Sequence, residues 1–96
     1  PIKSSAASDV YKRQAIGGSN FANFCVTEIL GEAVKMKAPK IILIHNHPSG
    51  DPTPSRQDIL TTKRMKEAGE FLGIPLCDHI IIGDQTYLSF REEHMM

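Results

Sequence analysis

From Thr27 onward the apolar and polar positions fall into alternating helical and strand-like blocks. Between Thr27 and Lys37, the residues Ile29, Leu30, Ala33, Val34 and Met36 recur at intervals of three and four, which predicts an amphipathic helix. Thr27 suits its N-cap and Pro39 ends it. Ile41 to Ile44 is apolar on both faces, the pattern of a central strand covered on both sides. Asn46 to Pro54 holds three prolines and a glycine and reads as a stiff loop. A second helix is predicted from Arg56 to Leu72, with Ile59, Met65, Ala68 and Leu72 inward and Lys63, Lys66, Glu67 and Glu70 in solvent. Gly73 fits the left-handed position after a helix, and Pro75 blocks continuation. Ile80 to Ile82 then reads as a strand, Gly83 to Gln85 as a turn, and Thr86 to Phe90 as a returning strand. Upstream, Ile16 to Asn20 reads as a strand end and turn. Helices alternating with strands make this an α/β chain.

At 96 residues and 41% hydrophobic content, one small domain with a modest core is expected. No apolar stretch approaches membrane-spanning length and no signal-peptide pattern is visible, so a cytoplasmic protein is the expectation. Formal net charge is zero and no stripe of Lys and Arg forms, which leaves no electrostatic footprint for nucleic acid. Cys25 and Cys77 belong to no Cys-x-x-Cys pair, and the expectation is two buried thiols rather than a disulfide.

The chemistry concentrates between His45 and Asp58. His45 and His47 follow the apolar run at i and i+2, so on a strand both imidazoles share one face. Asp58 follows on the first turn of the second helix. Two His and one Asp are three ligands for Zn2+, with the fourth tetrahedral position left for water, as at a catalytic site. Ser55 and Asp58 also have the spacing of a capping box. Both roles are compatible: the cap would fix the first turn and so aim Asp58 at the metal.

The pattern His-x-His-Pro followed after six residues by Ser-x-x-Asp resembles the signature of the JAMM (MPN-plus) zinc metallopeptidases. The longer string HNHPSGDPTPSRQD, with DHIIIGD at 78–84 and SFRE at 89–92, resembles the bacterial RadC family from about Ala15 to the C-terminus. The resemblance implies a three-layer α/β fold with a mixed sheet between helices, and a zinc-dependent hydrolase of peptide or isopeptide bonds. It implies His45, His47 and Asp58 as metal ligands and Ser55 as a hydrogen-bond donor to the developing oxyanion. Asp78 and His79 match an Asp-His pair of the family, for which a supporting role is expected. Cys77 stands where the family often has an aliphatic residue and reads as core.

Residues 1 to 14 fit this picture poorly. Ser4 to Gln14 looks like the in-frame translation of a transposase-type sequencing adapter, so residues 1–14 are expected to be non-native, poorly packed and dispensable, and 15–96 to be the C-terminal part of a RadC-like domain lacking its first strand or strands. Without Lys3, Lys12, Arg13 and Asp9, eight basic and ten acidic residues remain, a net charge of −2. The resemblance places the general-base glutamate near Lys12, where no carboxylate stands. A Lys there cannot take the proton as a carboxylate does, and its charge disfavours a nearby cation. Glu28 and Glu32 are the nearest upstream carboxylates. Glu28 matches a helix-start glutamate of RadC-like proteins and suits the positive end of the helix dipole, and Glu32 reads as solvated. Asn46, Ser49 and Asp51 are candidates to line a cleft, although such residues are also ordinary turn formers. The expectation is thus an inactive fragment of a hydrolase that keeps its metal site. The alternative is a metal-stabilised accessory module in DNA repair or DNA metabolism, since the RadC name carries that association. An upstream glutamate before Ile16 in the gene would decide for chemistry.

Overall fold

The computed structural model describes residues 2–6, 14–16 and 25–96. Five strands form one sheet in the order β2-β1-β3-β4-β5. They are β1 (Ile2–Ala6), β2 (Gln14–Ile16), β3 (Ile41–Asn46), β4 (Leu76–Ile82) and β5 (Tyr87–Ser89). Helix α1 (Val26–Lys35) precedes β3, and α2 (Arg56–Leu72) crosses from β3 to β4. β3 and β4 are parallel and the other pairings antiparallel, so the sheet is mixed and the class is α/β, as expected.

The β3–α2–β4 unit follows from the sequence. Parallel neighbours need a long crossover, and the 17 residues of α2 supply it. Ser55 starts α2 with a capping box: its hydroxyl accepts from Asp58 N–H, and Asp58 accepts from Ser55 N–H. Gly73 ends the helix at φ 78°, a left-handed conformation that favours glycine. α2 thus has the predicted bounds, whereas α1 begins at Val26 with Cys25 rather than Thr27 as its N-cap, carries no side-chain cap, and ends at Lys35 rather than Lys37.

One core joins both helices to the sheet. It contains Ile29, Leu30 and Ala33 of α1, Met65 of α2, Ile41 and Leu43 of β3, and Ile74 and Leu76. Full burial of a side chain such as Leu43, Ile29 or Met65 contributes about 1.5–3 kcal/mol. Ile41, Leu43 and His45 share the helix-covered face, while Ile42 and Ile44 on the other face are half-buried. Both described helices contribute to the core on the Ile41 and Leu43 face.

Several expectations need correction. α2 turns Asp58, Thr61, Thr62, Met65 and Gly69 inward. Ile59 and Leu72, expected in the core, are exposed, as is Val34 of α1. Met65 is buried and Ala68 packs against the core, as expected, but the rest of the inward face of α2 is polar or small, because Asp58 and Thr62 have polar partners beneath them. Cys25 is exposed and Cys77 half-buried, and both are free thiols. The N-terminal segment also differs from an irregular arm: Ile2–Ala6 pairs with β3 from Ile2↔His45 to Ala6↔Ile41, and with β2 on its other side. Lys12, Val10, Tyr11 and the predicted turn at residues 17–20 lie outside the described residues.

Candidate metal centre

β3 and α2 bring the three expected ligands together. His45 lies in β3 and is 2% exposed, while His47 lies one residue beyond the strand and is 17% exposed. Asp58, at the third position of α2, is 1% exposed. One ligand atom from each lies within 4.8 Å of the other two. His45 Nδ1 is 3.7 Å from Asp58 Oδ1, and His47 Nε2 is 3.1 Å from Asp58 Oδ2. A tetrahedral ion with ligands at ~2.0–2.2 Å would hold one atom from each about 3.4 Å apart, so the three groups, gathered within 4.8 Å, stand close enough to converge on one ion with small side-chain adjustments.

The hydrogen bonds show that the group suits a cation. His47 Nδ1–H donates to the Asp51 carbonyl at 2.9 Å, so a neutral His47 turns a lone pair at Nε2 toward the Asp58 carboxylate. Two acceptors face each other there, an arrangement favourable only with positive charge on the ring or between the groups. Asp58 Oδ1 is buried and accepts no hydrogen bond among the described residues. Burying a carboxylate costs several kcal/mol unless a positive partner compensates. The Nδ1–H to carbonyl bond is also the usual way in which a metal-binding imidazole is oriented.

Behind the ligands lies a second polar assembly. His79, buried in β4, is stacked 5.9 Å from His45 on one side and 4.7 Å from Phe90 on the other, measured between ring centres. Its Nδ1 is 2.7 Å from Thr62 Oγ1, and that hydroxyl donates to the Asp58 carbonyl at 2.7 Å. The single hydroxyl proton is thereby used, so His79 Nδ1 carries the hydrogen and donates to Thr62. Burial, reinforced by the neighbouring His45, lowers the His79 pKa to about 4, so the ring is neutral near pH 7. Asp78 accepts from His79 N–H, from Arg91 N–H and from Ser89 Oγ–H, tying β4 to β5 and the C-terminal turn. The expected supporting role of Asp78 and His79 thus has a concrete form. Thr62 escaped sequence reasoning, and Ser89 and Phe90 entered it only within the returning strand and the SFRE string, with no role assigned. The signal for Thr62 was its position four residues after Asp58, one helical turn on.

The remaining candidates separate. Ser55 is exposed beside Asp58, and because its oxygen accepts from Asp58 N–H its own proton remains to donate. Asp51 is exposed, and the N–H and hydroxyl of Thr53 hold its carboxyl below the usual range. Asp51 N–H donates to Ser49 Oγ, so these residues build the loop, and Asn46 is half-buried at the end of β3. Glu28 is exposed in the first turn of α1, and neither it nor Glu32 joins the His-His-Asp group.

A mixed-sheet α/β domain with a His-His-Asp group that could hold a metal ion, placed where a strand passes into a helix, defines a class of domain. Within that class the chain belongs to the RadC-like JAB domain family, whose match spans residues 6–95. The match therefore also takes in residues 6–14. The chain is 63% identical over 67 residues to a UPF0758 protein of Enterococcus faecalis, covering 70% of this chain and 29% of that protein. It is 53% identical over 81 residues to a UPF0758 protein of Carboxydothermus hydrogenoformans, covering 84% and 36%. With a UPF0758 protein of Geobacillus kaustophilus the identity is 48% over 85 residues, covering 88% and 38%. The chain thus spans about a third of the length of the curated relatives it matches. Among the described residues no helix is long and apolar enough to cross a membrane.

Proposed function

We propose that the domain is the metal-binding part of a zinc-dependent hydrolase of peptide or isopeptide bonds, and that this chain binds zinc but does not turn over. The observation that carries the reading is the buried Asp58 carboxylate facing the ring nitrogens of His45 and His47. When bound, zinc would supply a Lewis acid for the carbonyl and an acidified water. The chain's own residues would do the rest. His45, His47 and Asp58 hold the ion, Asp51 O fixes the His47 tautomer, and Ser55 Oγ–H donates to the oxygen that gains negative charge. Accepting and returning a proton needs a positioned base within hydrogen-bond reach, and the family resemblance implies a glutamate for that role. β1 sits beside β3 with Ile2 opposite His45, and residues 2–6 contain no Asp or Glu. A cytoplasmic location and a peptide or isopeptide substrate belong to the same proposal.

The test compares three proteins in zinc-dependent peptide and isopeptide hydrolysis. They are the present chain, a chain with the upstream family strand and its glutamate restored, and the restored chain with His47→Ala. The present chain should stay at background, and restoration should raise the rate by on the order of 10²–10⁴. The His47→Ala protein should return to background. Zinc-dependent turnover by the present chain, abolished by Glu28→Gln, would overturn the reading and make Glu28 the base.

A further inference from the structure

His47 is the one ligand on a loop, and a loop must be held by something. Its own N–H donates to Ile82 O at 2.9 Å, and its carbonyl accepts from Gly50 N–H at 3.0 Å. Gly50, at φ 90°, turns its carbonyl onto Asp84 N–H at 2.8 Å. Asp51, the next residue, provides the carbonyl that orients the His47 ring. The ligand loop therefore lies flat against the turn that follows β4, backbone on backbone. Gly83 is the point of closest approach. A Cβ there would overlap the Gly50 carbonyl oxygen, with Pro52 Cδ at 2.9 Å and Gly50 C at 3.0 Å. These are backbone and proline-ring atoms, so no rotamer change relieves the overlap and the loop itself has to move.

We propose that Gly83 is a positioning residue for metal binding: its missing side chain lets the β4–β5 turn clamp the loop that presents His47. The inference rests on the reading of His45, His47 and Asp58 as a metal site. It predicts a selective fault, because His45 and Asp58 stand on a strand and a capped helix, whereas His47 moves with the loop.

The test is Gly83→Ala, combined with His47→Ala, in a zinc competition titration. Gly83→Ala should weaken zinc binding about 10–100-fold, as loss of an orienting contact usually does. In the His47→Ala background the same change should alter affinity by less than about threefold, because the effect acts through His47. Unchanged affinity in a folded Gly83→Ala protein would overturn the clamp, as would a full penalty in the His47→Ala background. Amide exchange of the metal-free proteins supplies a readout that needs no zinc. In the unaltered chain His47 and Asp84 should exchange through one common opening, and Gly83→Ala should speed both by on the order of tenfold while Leu43 is unchanged. If the unaltered chain binds no zinc, the metal reading fails and exchange alone decides the clamp, unchanged His47 protection being the result against it. If Gly83→Ala does not fold, Gly50→Ala takes its place, since its Cβ would stand 3.1 Å from Asp84 Cβ at a positive φ. Separate openings for His47 and Asp84 in the unaltered chain would overturn the proposal without any variant.

Discussion

β3 has a different neighbour on each side, and the two flanks contribute differently to the site. On one side β4 runs parallel, joined through α2, and brings His79, Asp78 and the turn at Gly83 up to the ligands. On the other side β1 runs antiparallel and places a segment without a carboxylate beside His45. A parallel pair sends its crossover helix away from the carboxyl end of the first strand, so the end of β3 and the start of α2 meet by construction. The His-His-Asp group needs only that meeting. Under the proposed function, proton transfer would need a further group, which this meeting does not supply. The group can therefore be assembled without it.

The sharpest break in the comparison is on the ligand side. Asp58→Asn removes the buried negative charge that faces both imidazoles, yet retains the volume and most of the capping geometry. Zinc affinity should fall by more than about 100-fold, beyond what outer partners usually cost. The metal-free protein should lose little stability, because the carboxylate it loses was poorly compensated. A titration paired with urea unfolding checks both. Retained affinity would remove Asp58 from the site.

Support from β4 gives the next effect, and it depends on pH. The His79 pKa lies near 4 in the fold against 6.5 when exposed. Below pH 6.5 the unfolded chain binds a proton that the native ring refuses, so stability falls as pH drops from 6.5 toward 4 and is unaffected by this group above 6.5. The difference is on the order of 3 kcal/mol. Urea unfolding of the metal-free chain from pH 7 to 4, compared with His79→Gln, isolates it. Parallel pH profiles for the two proteins would refute the assignment.

Thr62→Val should produce a smaller loss. The substitution keeps the volume but removes the hydroxyl between His79 Nδ1 and the Asp58 carbonyl, leaving the His79 N–H without its acceptor. A cost of about 1–3 kcal/mol is expected. Thermal unfolding measures it, and a neutral result would show that the contact supports nothing.

The same contrast explains what was legible. The candidate ligands are local: one strand end, one loop and one helix start, 45 to 58, with a cap that spacing alone identifies. Their supports are not local. Thr62 meets His79, Asp78 meets Ser89 and Gly50 meets the turn at Gly83, contacts that depend on how α2 and β5 return to the sheet. Periodicity placed Met65 and Ala68 of α2 correctly but failed at Ile59 and Leu72, which face out, because polar Asp58 and Thr62 take the inward positions. Pattern reading assumes that the buried face is apolar, and a helix that lends a ligand breaks that assumption.

The β1 flank gives the smallest expected effect and the best test of its origin. Read as foreign sequence, residues 1–14 were never selected with this core. Their backbone pairing, with β3 on one side and β2 on the other, would then be that of a spare strand taken up beside an otherwise unpaired side of β3. Deleting them should change stability by less than about 1 kcal/mol, within the range of changes that disturb no specific feature. Zinc affinity should not change, because all three ligands and the supports of His47 and His79 lie between 45 and 90. Urea unfolding and a zinc titration of residues 15–96 beside the full chain make the comparison. A loss above about 2 kcal/mol, or a weakened metal site, would show that β1 is an integral strand of the domain and that the two flanks of β3 are coupled.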